Sequence, residues 1–433
     1  MTTSEIALNK ISEKKELYNF TLFSFGKLIS IFGSAIYTFA IGLFVLQNTG
    51  SGLSFATTLV LGTIPMVIVN PFAGVMADRF DKKKLVVSMD ILNGVLLVSV
   101  YLLSFAYGLN LMMIYVSTFI MTAFTCIFGV SLEAAKPNIV SDRRLVSINS
   151  VSKIIDSISS ILGPMVGGIV FALIDIKMFI LINGISFIFS GISEMFIDFN
   201  FNKDGSEIEA RNIEKRAEGK ISFIKDIKEG FIYIASQKNL INFIAVFVAL
   251  NFCLGYGISV PLPYIINNIL NLTSGQLGLI QGAFPVGLII GAMFIKKVTD
   301  RVSFSKLLGS ACIILAISMI FIGAPLVFFK NVFHDNVYVI YYGFIMMMSG
   351  ISISFIDIPI MIIFQKMIPE EYRGRVLSLS IMSAKIMLPV ALIISGILIN
   401  KIQAFILPIT GGTILSIVGI VVLKSIKDDT EKA

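Results

Sequence analysis

Four ionisable residues sit well inside long apolar stretches of this 433-residue chain: Lys27, Asp156, Asp357 and Lys385. Charges in such surroundings are costly unless paired, and by default they mark sites that bind protons, ions or charged substrates. Lys27 lies about eight residues into the first apolar run, roughly 12 Å deep at the rise of an α-helix. The other three lie at a similar depth, and the four formal charges cancel. The pattern predicts two pairs, Lys27 with Asp156 and Lys385 with Asp357, each within one half of the chain. Two roles fit such a pair. It can be a static lock between neighbouring helices, or one aspartate can release its lysine to take a proton or a cationic substrate. Glu133 joins these four as a coupling or substrate candidate. Asp90, Glu133 and Glu194 fall near helix ends, where a side chain can snorkel to water, and are expected at a gate or helix interface.

Other chemistries find little support. Cys126, Cys253 and Cys312 are far apart, and the lone histidine, His334, lies in a short polar connection. No CxxC or Cys/His spacing suggests zinc or a disulfide framework, so no metal or other cofactor is expected. There is no GxxxxGK[ST] phosphate loop, which argues against direct ATP drive. A membrane enzyme would need a nucleophile–base or metal constellation, and one loop histidine offers little.

The elements that must position these groups follow from composition. The chain is 56% hydrophobic and only 14% charged, with a mean hydropathy of +0.90, whereas a soluble domain is about 25% charged. Most of its surface must therefore face lipid. Twelve apolar runs can be read, at 19–47, 52–76, 84–107, 110–133, 145–172, 176–199, 239–266, 275–296, 305–328, 337–365, 376–399 and 402–424. Each is near or above the ~20 residues of a membrane helix and none alternates like a barrel strand.

With the N-terminus placed inside, all but five of the 34 lysines and arginines fall in the cytoplasmic connections and tails. That bias puts both termini in the cytoplasm of an inner (plasma) membrane protein, and it makes the net charge of +7 a topology signal, not a nucleic-acid footprint. The N-terminus lacks a signal-peptide pattern and is read as retained. The expected division is a tail at 1–18, a six-helix bundle at 19–199, a cytoplasmic linker at 200–238, a second bundle at 239–425 and a tail at 426–433. Within the linker, Ile221, Ile224, Ile227, Phe231 and Ile234 have the spacing of an amphipathic helix on the inner leaflet.

The halves echo each other. "ADRFDKKKL" at 77–85 matches "TDRVSFSKL" at 299–307, and "RLVSINSVSKI" from Arg144 resembles "RVLSLSIMSAK" from Arg375. Two matches at nearly one offset argue for duplication of a six-helix unit, an organisation common among secondary transporters.

The stretch "GVMADRFDKKK" at 74–84 resembles the loop motif G-x-L-A-D-R-x-G-R-R of the major facilitator superfamily. Gly74, Ala77, Asp78, Arg79, Lys82 and Lys83 fit, while Met76 and Asp81 depart from it. "LGPMVGG" in the fifth span, with Gly163, Pro164, Gly167 and Gly168, resembles the glycine-proline motif of superfamily antiporters. "PLPYIINNIL", "LGLIQGAFPVGLIIGAMF" and "PEEYRGRVLSLS" are most similar to the macrolide-efflux and enterobactin-export branch. The resemblance spans essentially the whole chain. It implies an all-α membrane fold of two pseudo-symmetric six-helix bundles, with a substrate site between them and alternating access. It further implies proton-coupled efflux of an amphipathic small molecule, such as a macrolide-like drug or a siderophore-like metabolite. The expected partners are that substrate, protons and the lipid bilayer, with the protein a monomer.

The fourth span lacks the R-x-x-x-G arginine common in drug–proton antiporters, which weakens coupling by that route. An uptake carrier for a polar nutrient is the alternative, and a non-transporting membrane protein a further one. In the loop, Gly74 would permit close helix approach, Asp78 would meet the N-terminus of span eleven, and Arg79 would hold a neighbouring acid. Asp300 and Arg301 would be the second-half copy of this gating motif. Lys82, Lys83 and Lys84 would anchor the loop to anionic lipid. Gly163, Pro164, Gly167 and Gly168 would form a kinked, closely packed seam. Asn251, Tyr256, Gln276 and Gln281 are candidate cavity-lining groups.

Overall fold

The structure is a computed structural model that describes residues 3–202, 231–299, 301–328, 334–368 and 370–425. Side chains are not described for 3–12, 71, 78, 238–239, 363–366, 370–375, 377–378, 381, 384 and 425. Among the described residues every regular element is helical. In chain order they are α1 (Thr3–Thr49), α2 (Gly52–Leu61), α3 (Ile64–Arg79), α4 (Lys82–Tyr107), α5 (Leu111–Ile139), α6 (Asp142–Leu173) and α7 (Ile176–Glu194). After the linker come α8 (Lys238–Leu254), α9 (Pro261–Tyr264), α10 (Ser274–Thr299), α11 (Phe304–Phe328), α12 (Asp335–Met367), α13 (Glu370–Ile399) and α14 (Ile406–Ser425).

Among the described residues, eleven helical stretches are long and apolar enough to cross a membrane, and α13 adds a shorter apolar stretch, Lys385–Ile399. Two of the twelve expected spans are not simple helices. The second breaks between α2 and α3 at 62–63, where Thr63 leaves helical geometry just before Pro65. The seventh runs from α8 through two π-helical segments, Gly255–Ser259 and Ile265–Ile269, on either side of α9. Pro261 and Pro263 lack backbone N–H groups, so the carbonyls of Gly257 and Ser259 lose their helical donors, and the helix widens around the defect. α1 starts at Thr3, so the expected tail at 1–18 is continuous with the first span. Most of the expected linker helix lies outside the described residues; 231–236 are helical.

The chain groups into two compact units. The first holds Met1–Ile41, Leu61–Gly163 and Leu173–Ile221; the second holds Gly42–Val60, Pro164–Ala172 and Ser222–Ala433. The division thus cuts through α1, α2 and α6 as well as the linker.

Within each unit helices meet backbone to backbone at glycines. In the first, a Cβ on Gly94 of α4 would lie 2.5 Å from Ile188 Cγ1 and 2.7 Å from the Gly184 carbonyl of α7. In the second, a Cβ on Gly287 of α10 would overlap the Met347 carbonyl of α12, and one on Gly350 would overlap the Phe284 carbonyl. Lipid tails supply no hydrophobic force between helices, so such close van der Waals approach is what holds them together.

The N-terminal end of the first unit is belted by polar contacts. Asn19 donates to the carbonyls of Ile139 (3.1 Å) and Asp198 (3.2 Å) and accepts from the Asp198 N–H (3.0 Å). Glu16 accepts from the Ser141 N–H at 2.8 Å and pairs with Arg144 at 3.4 Å. Lys15 pairs with Asp198 at 2.6 Å. Below it lies a core of Phe23, Val86, Phe128, Leu132, Ile139, Ile148 and Ile197.

Gly287→Ala should lower the thermal midpoint of the purified protein, because overpacking costs about 1–3 kcal/mol. Gly343→Ala on α12, where an added Cβ meets nothing within 4 Å, should be neutral or slightly stabilising. Asp198 gives a pH test. Partial burial opposes its charge, but the Lys15 ammonium and the Asn200 N–H prevail and hold its carboxyl below the usual carboxylate range. Its stabilisation is therefore present above the unfolded value of about 4 and fades as pH falls through the lower folded value. Asp198→Asn should remove that acid-side dependence at a cost of about 1 kcal/mol or less, as for an exposed pair.

Candidate functional site

The sequence-predicted charges of the first half meet in one cluster. Lys27, on α1, is 4% exposed. Its Nζ lies 3.0 Å from Glu133 Oε1 on α5, 3.0 Å from Asp156 Oδ1 on α6, and hydrogen-bonds the Ser152 hydroxyl. Lys136, one helical turn beyond Glu133, pairs with Glu133 Oε2 and donates to Asn149 Oδ1 at 3.0 Å. Ser152 also donates to Glu133 Oε1 at 2.8 Å. Two ammonium groups and two carboxylates therefore balance. The lysines are buried, while the side chains of Glu133 and Asp156 are 49% and 42% exposed. The acids form the more exposed face of the cluster.

The second pair does not form. Asp357 Oδ1, on α12, is buried without a hydrogen-bond partner among the described residues, and Lys385, on α13, is exposed. Among the described residues no ion pair joins them. Depth matched, but α12 packs mainly on α10 and α11, while α13 packs mainly on α8. Asp90 and Glu194 correct the expectation of snorkelling: both are fully buried, at 0% exposure, with no route to water along their own side chains.

The loop motif is likewise revised. A Cβ on Gly74 would meet nothing within 4 Å, so this glycine makes no close helix approach. Arg79 is exposed, and no acid pairs with it among the described residues. Arg301 is exposed as well. The Asp78 side chain and all of Asp300 lie outside the described residues. Asp81, which departs from the family pattern, accepts from the Lys84 N–H at 2.9 Å and caps α4. Lys82 and Lys83 bind protein: Lys82 reaches Asn138 Oδ1 at 3.4 Å and Lys83 the Ile197 carbonyl at 3.1 Å. Lys84 remains exposed.

The glycine-proline motif does make close contacts. A Cβ on Gly163 would lie 2.6 Å from Ala35 Cβ of α1. In the second unit, a Cβ on Gly168 would overlap the Ser274 carbonyl, and one on Gly278 would lie 2.7 Å from the Pro164 carbonyl. Gly167 is buried, and α6 stays helical through Pro164. The same unit joins the end of α1 and the start of α2 to its other helices. Gln47 donates to Ser274 Oγ at 2.9 Å, and the Gly52 N–H donates to Asn400 Oδ1 at 3.1 Å. A Cβ on Gly396 would lie 2.5 Å from Ala56 Cβ.

Of the polar groups expected to line a cavity, Gln276 is used elsewhere: it accepts from the Thr273 N–H at 2.8 Å and starts α10. Asn251 donates back to the Phe247 carbonyl at 2.9 Å. Tyr256 stacks on Phe252 and its hydroxyl lies 3.2 Å from Thr410 Oγ1. The residues missed were Asn267 and Asn268, in the second π-helical segment. Both side-chain polar atoms of Asn267 and Oδ1 of Asn268 are buried without hydrogen-bond partners among the described residues. The signal was the Pro-x-Pro just before them. Free Cys126, Cys253 and Cys312 are buried, and no metal-binding cluster occurs among the described residues.

A family model described as Major Facilitator Superfamily matches residues 23–379 and 243–433. Macrolide efflux protein A of Streptococcus pyogenes is 23% identical over 397 residues, covering 92% of this chain and 93% of that protein. Macrolide efflux protein A of Enterococcus faecalis is 22% identical over 346 residues, covering 79% and 100%. Among solved structures, a bacterial homologue of the iron transporter ferroportin in its inward-facing state has a TM-score of 0.71 at 15% identity, covering 94% of this chain and 99% of that one. A mutant of the nucleoside transporter NupG has a TM-score of 0.70 at 12% identity, covering 95% and 100%.

Either Glu133→Gln or Asp156→Asn alone leaves Lys27 one carboxylate. The double variant leaves a buried ammonium with none. Its loss of thermal stability should exceed the sum of the single losses, with a coupling of about 0.5–3 kcal/mol in a double-mutant cycle. Additive losses would show that Lys27 does not depend on both acids.

Proposed function

The chain belongs to the major facilitator superfamily, and we propose from that premise that it exports an amphipathic small molecule by proton-coupled alternating access. It is a multi-pass membrane transporter, not an enzyme. Efflux of a macrolide-like compound is favoured by the two relatives named Macrolide efflux protein A. The observation that carries proton coupling is the Lys27 cluster, in which a buried ammonium is shared by two half-exposed carboxylates.

In this reading a proton arriving at Asp156 neutralises it, and Lys27 then leans wholly on Glu133. A cationic substrate can do the same by taking Asp156 for itself. In either case the link from α1 to α6 loosens, while Glu133 keeps Lys27 compensated through the step. Proton and substrate thus compete for one carboxylate, which is the requirement for exchange. The glycine seam of Gly168 and Gly278, with Gln47–Ser274 and Gly52–Asn400, is the natural place for an outer gate. The positive-inside bias supports an orientation with that end outside and both termini in the cytoplasm of an inner-membrane protein. The loop at 74–84, with Asp78, Arg79 and its copy at Asp300 and Arg301, remains the candidate inner latch.

Asp156→Asn, purified into vesicles, should reduce gradient-driven efflux on the order of tenfold, the size of an ordinary coupling free energy between sites. Gradient-independent exchange of the same compound should survive. Full activity with an unchanged pH profile would remove Asp156 from coupling.

A further inference from the structure

Asp90 on α4 and Glu194 on α7 are used by nothing described above, and among the described residues they have no counter-charge. Both are 0% exposed. One oxygen of Asp90 accepts from the Ser30 hydroxyl of α1. Ser30 lies 3.0 Å from Ser190 Oγ, and Ser190 donates to the Gly26 carbonyl at 3.1 Å. Glu194 sits over the same turn of α1: a Cβ on Gly26 would lie 2.5 Å from Glu194 Oε1. The other Asp90 oxygen and both Glu194 oxygens have no hydrogen-bond partner among the described residues. Three orphaned carboxyl oxygens thus converge on one sealed turn of α1.

On the neighbouring elements Lys84 of α4 is exposed and Lys82 reaches Asn138, and the following cations also have partners elsewhere. On α1, Lys27 turns to Glu133 and Asp156, and Lys15 to Asp198. On α4, Lys83 binds the Ile197 carbonyl, and on α7, Lys177 reaches the Ser104 carbonyl at 3.5 Å. On α5, Lys136 holds Glu133. Gly191 of α7 closes against Ile91 of α4, where a Cβ would lie 2.8 Å from Ile91 Cγ1, leaving little room for water. Two carboxylates cannot both stay ionised in such a place, and the smallest neutralising ligand is a proton.

We propose that Asp90 and Glu194 form an exchangeable proton-binding site, a carboxyl pair sharing protons at the junction of α1, α4 and α7. Protonation removes the uncompensated charge and turns an orphaned acceptor oxygen into an O–H donor. Gly26 and Ser30 face this pair while Lys27, between them in sequence, faces the other cluster. One turn of α1 therefore touches both, and a shift of α1 that exposes the carboxyls lets the proton leave as the Lys27 contacts change. This deepens the proton-coupled reading, and rests on it only for where the proton goes.

The test does not require transport. Infrared spectra of the purified full-length protein in lipid, taken through a pH titration in H2O and D2O, report the carbonyl stretch of protonated carboxylic acids. At pH 7, where exposed carboxyls are ionised, the wild type should show such a band, shifted by deuterium and lost as pH is raised. Asp90→Asn and Glu194→Gln, both near-isosteric, should each diminish and shift it, and the double variant should remove it. Ser30→Ala should shift it without abolishing it, and decides the matter if the other two fail to fold: an unmoved band would overturn the proposal. So would the absence of any titrating band that these variants remove, or its loss on adding sodium at constant pH, which would assign the pair to a metal cation. Loss of efflux with the band intact would count against the transport reading alone.

Discussion

A lysine buried among membrane spans cannot stand alone, and the first unit is arranged around that constraint. Lys27 holds three helices together because α1 supplies the ammonium while α5 and α6 supply the carboxylates. Lys136 then balances the second acid, so the cluster is neutral as a whole. The cost of desolvating the lysines is met inside the cluster, and the two acids keep part of their surface free. A cluster made only to lock helices would gain from burying its acids as well. The partial exposure of Glu133 and Asp156 is what supports the proposed response to protons and cations.

The proposed alternating access requires seams that separate without leaving buried polar groups behind. The contacts that tie α1, α2 and α6 into the second unit meet that need. They are mainly glycine against backbone, with hydrogen bonds from Gln47 to Ser274, from the Gly52 N–H to Asn400 and from Asn400 to Ser51 that water can replace. By contrast, the belt around Asn19, Glu16 and Asp198 knits its part of the first unit with many reciprocal bonds. The seventh span, widened around Pro261 and Pro263, adds two asparagines with unmet hydrogen bonds among the described residues.

Much of this was legible in the sequence, and the failures have a common cause. The apolar runs sufficed for the membrane fold, because length and composition decide whether a segment spans. The Lys27–Asp156 pair followed from depth and sign. Lys385 and Asp357 matched by the same criteria, yet their helices scarcely touch; depth along a helix says nothing about which neighbour it meets. Gly74 was read as a contact residue from its motif, whereas the close contacts lie at Gly94, Gly287 and Gly350, where no motif announced them. Asp90 and Glu194 were expected to reach water because they lie near helix ends, but α1 and the polar belt cover those ends. Asp81 looked like a lapse from the family pattern and is instead a helix cap.

The account stands or falls on protons moving against substrate. Purified protein in vesicles loaded with a pH-sensitive dye, with no gradient imposed, allows that to be read directly when a macrolide is added on one side. Coupled exchange predicts proton movement opposite to the drug, abolished when the drug is omitted. Drug accumulation with no accompanying proton movement would contradict it.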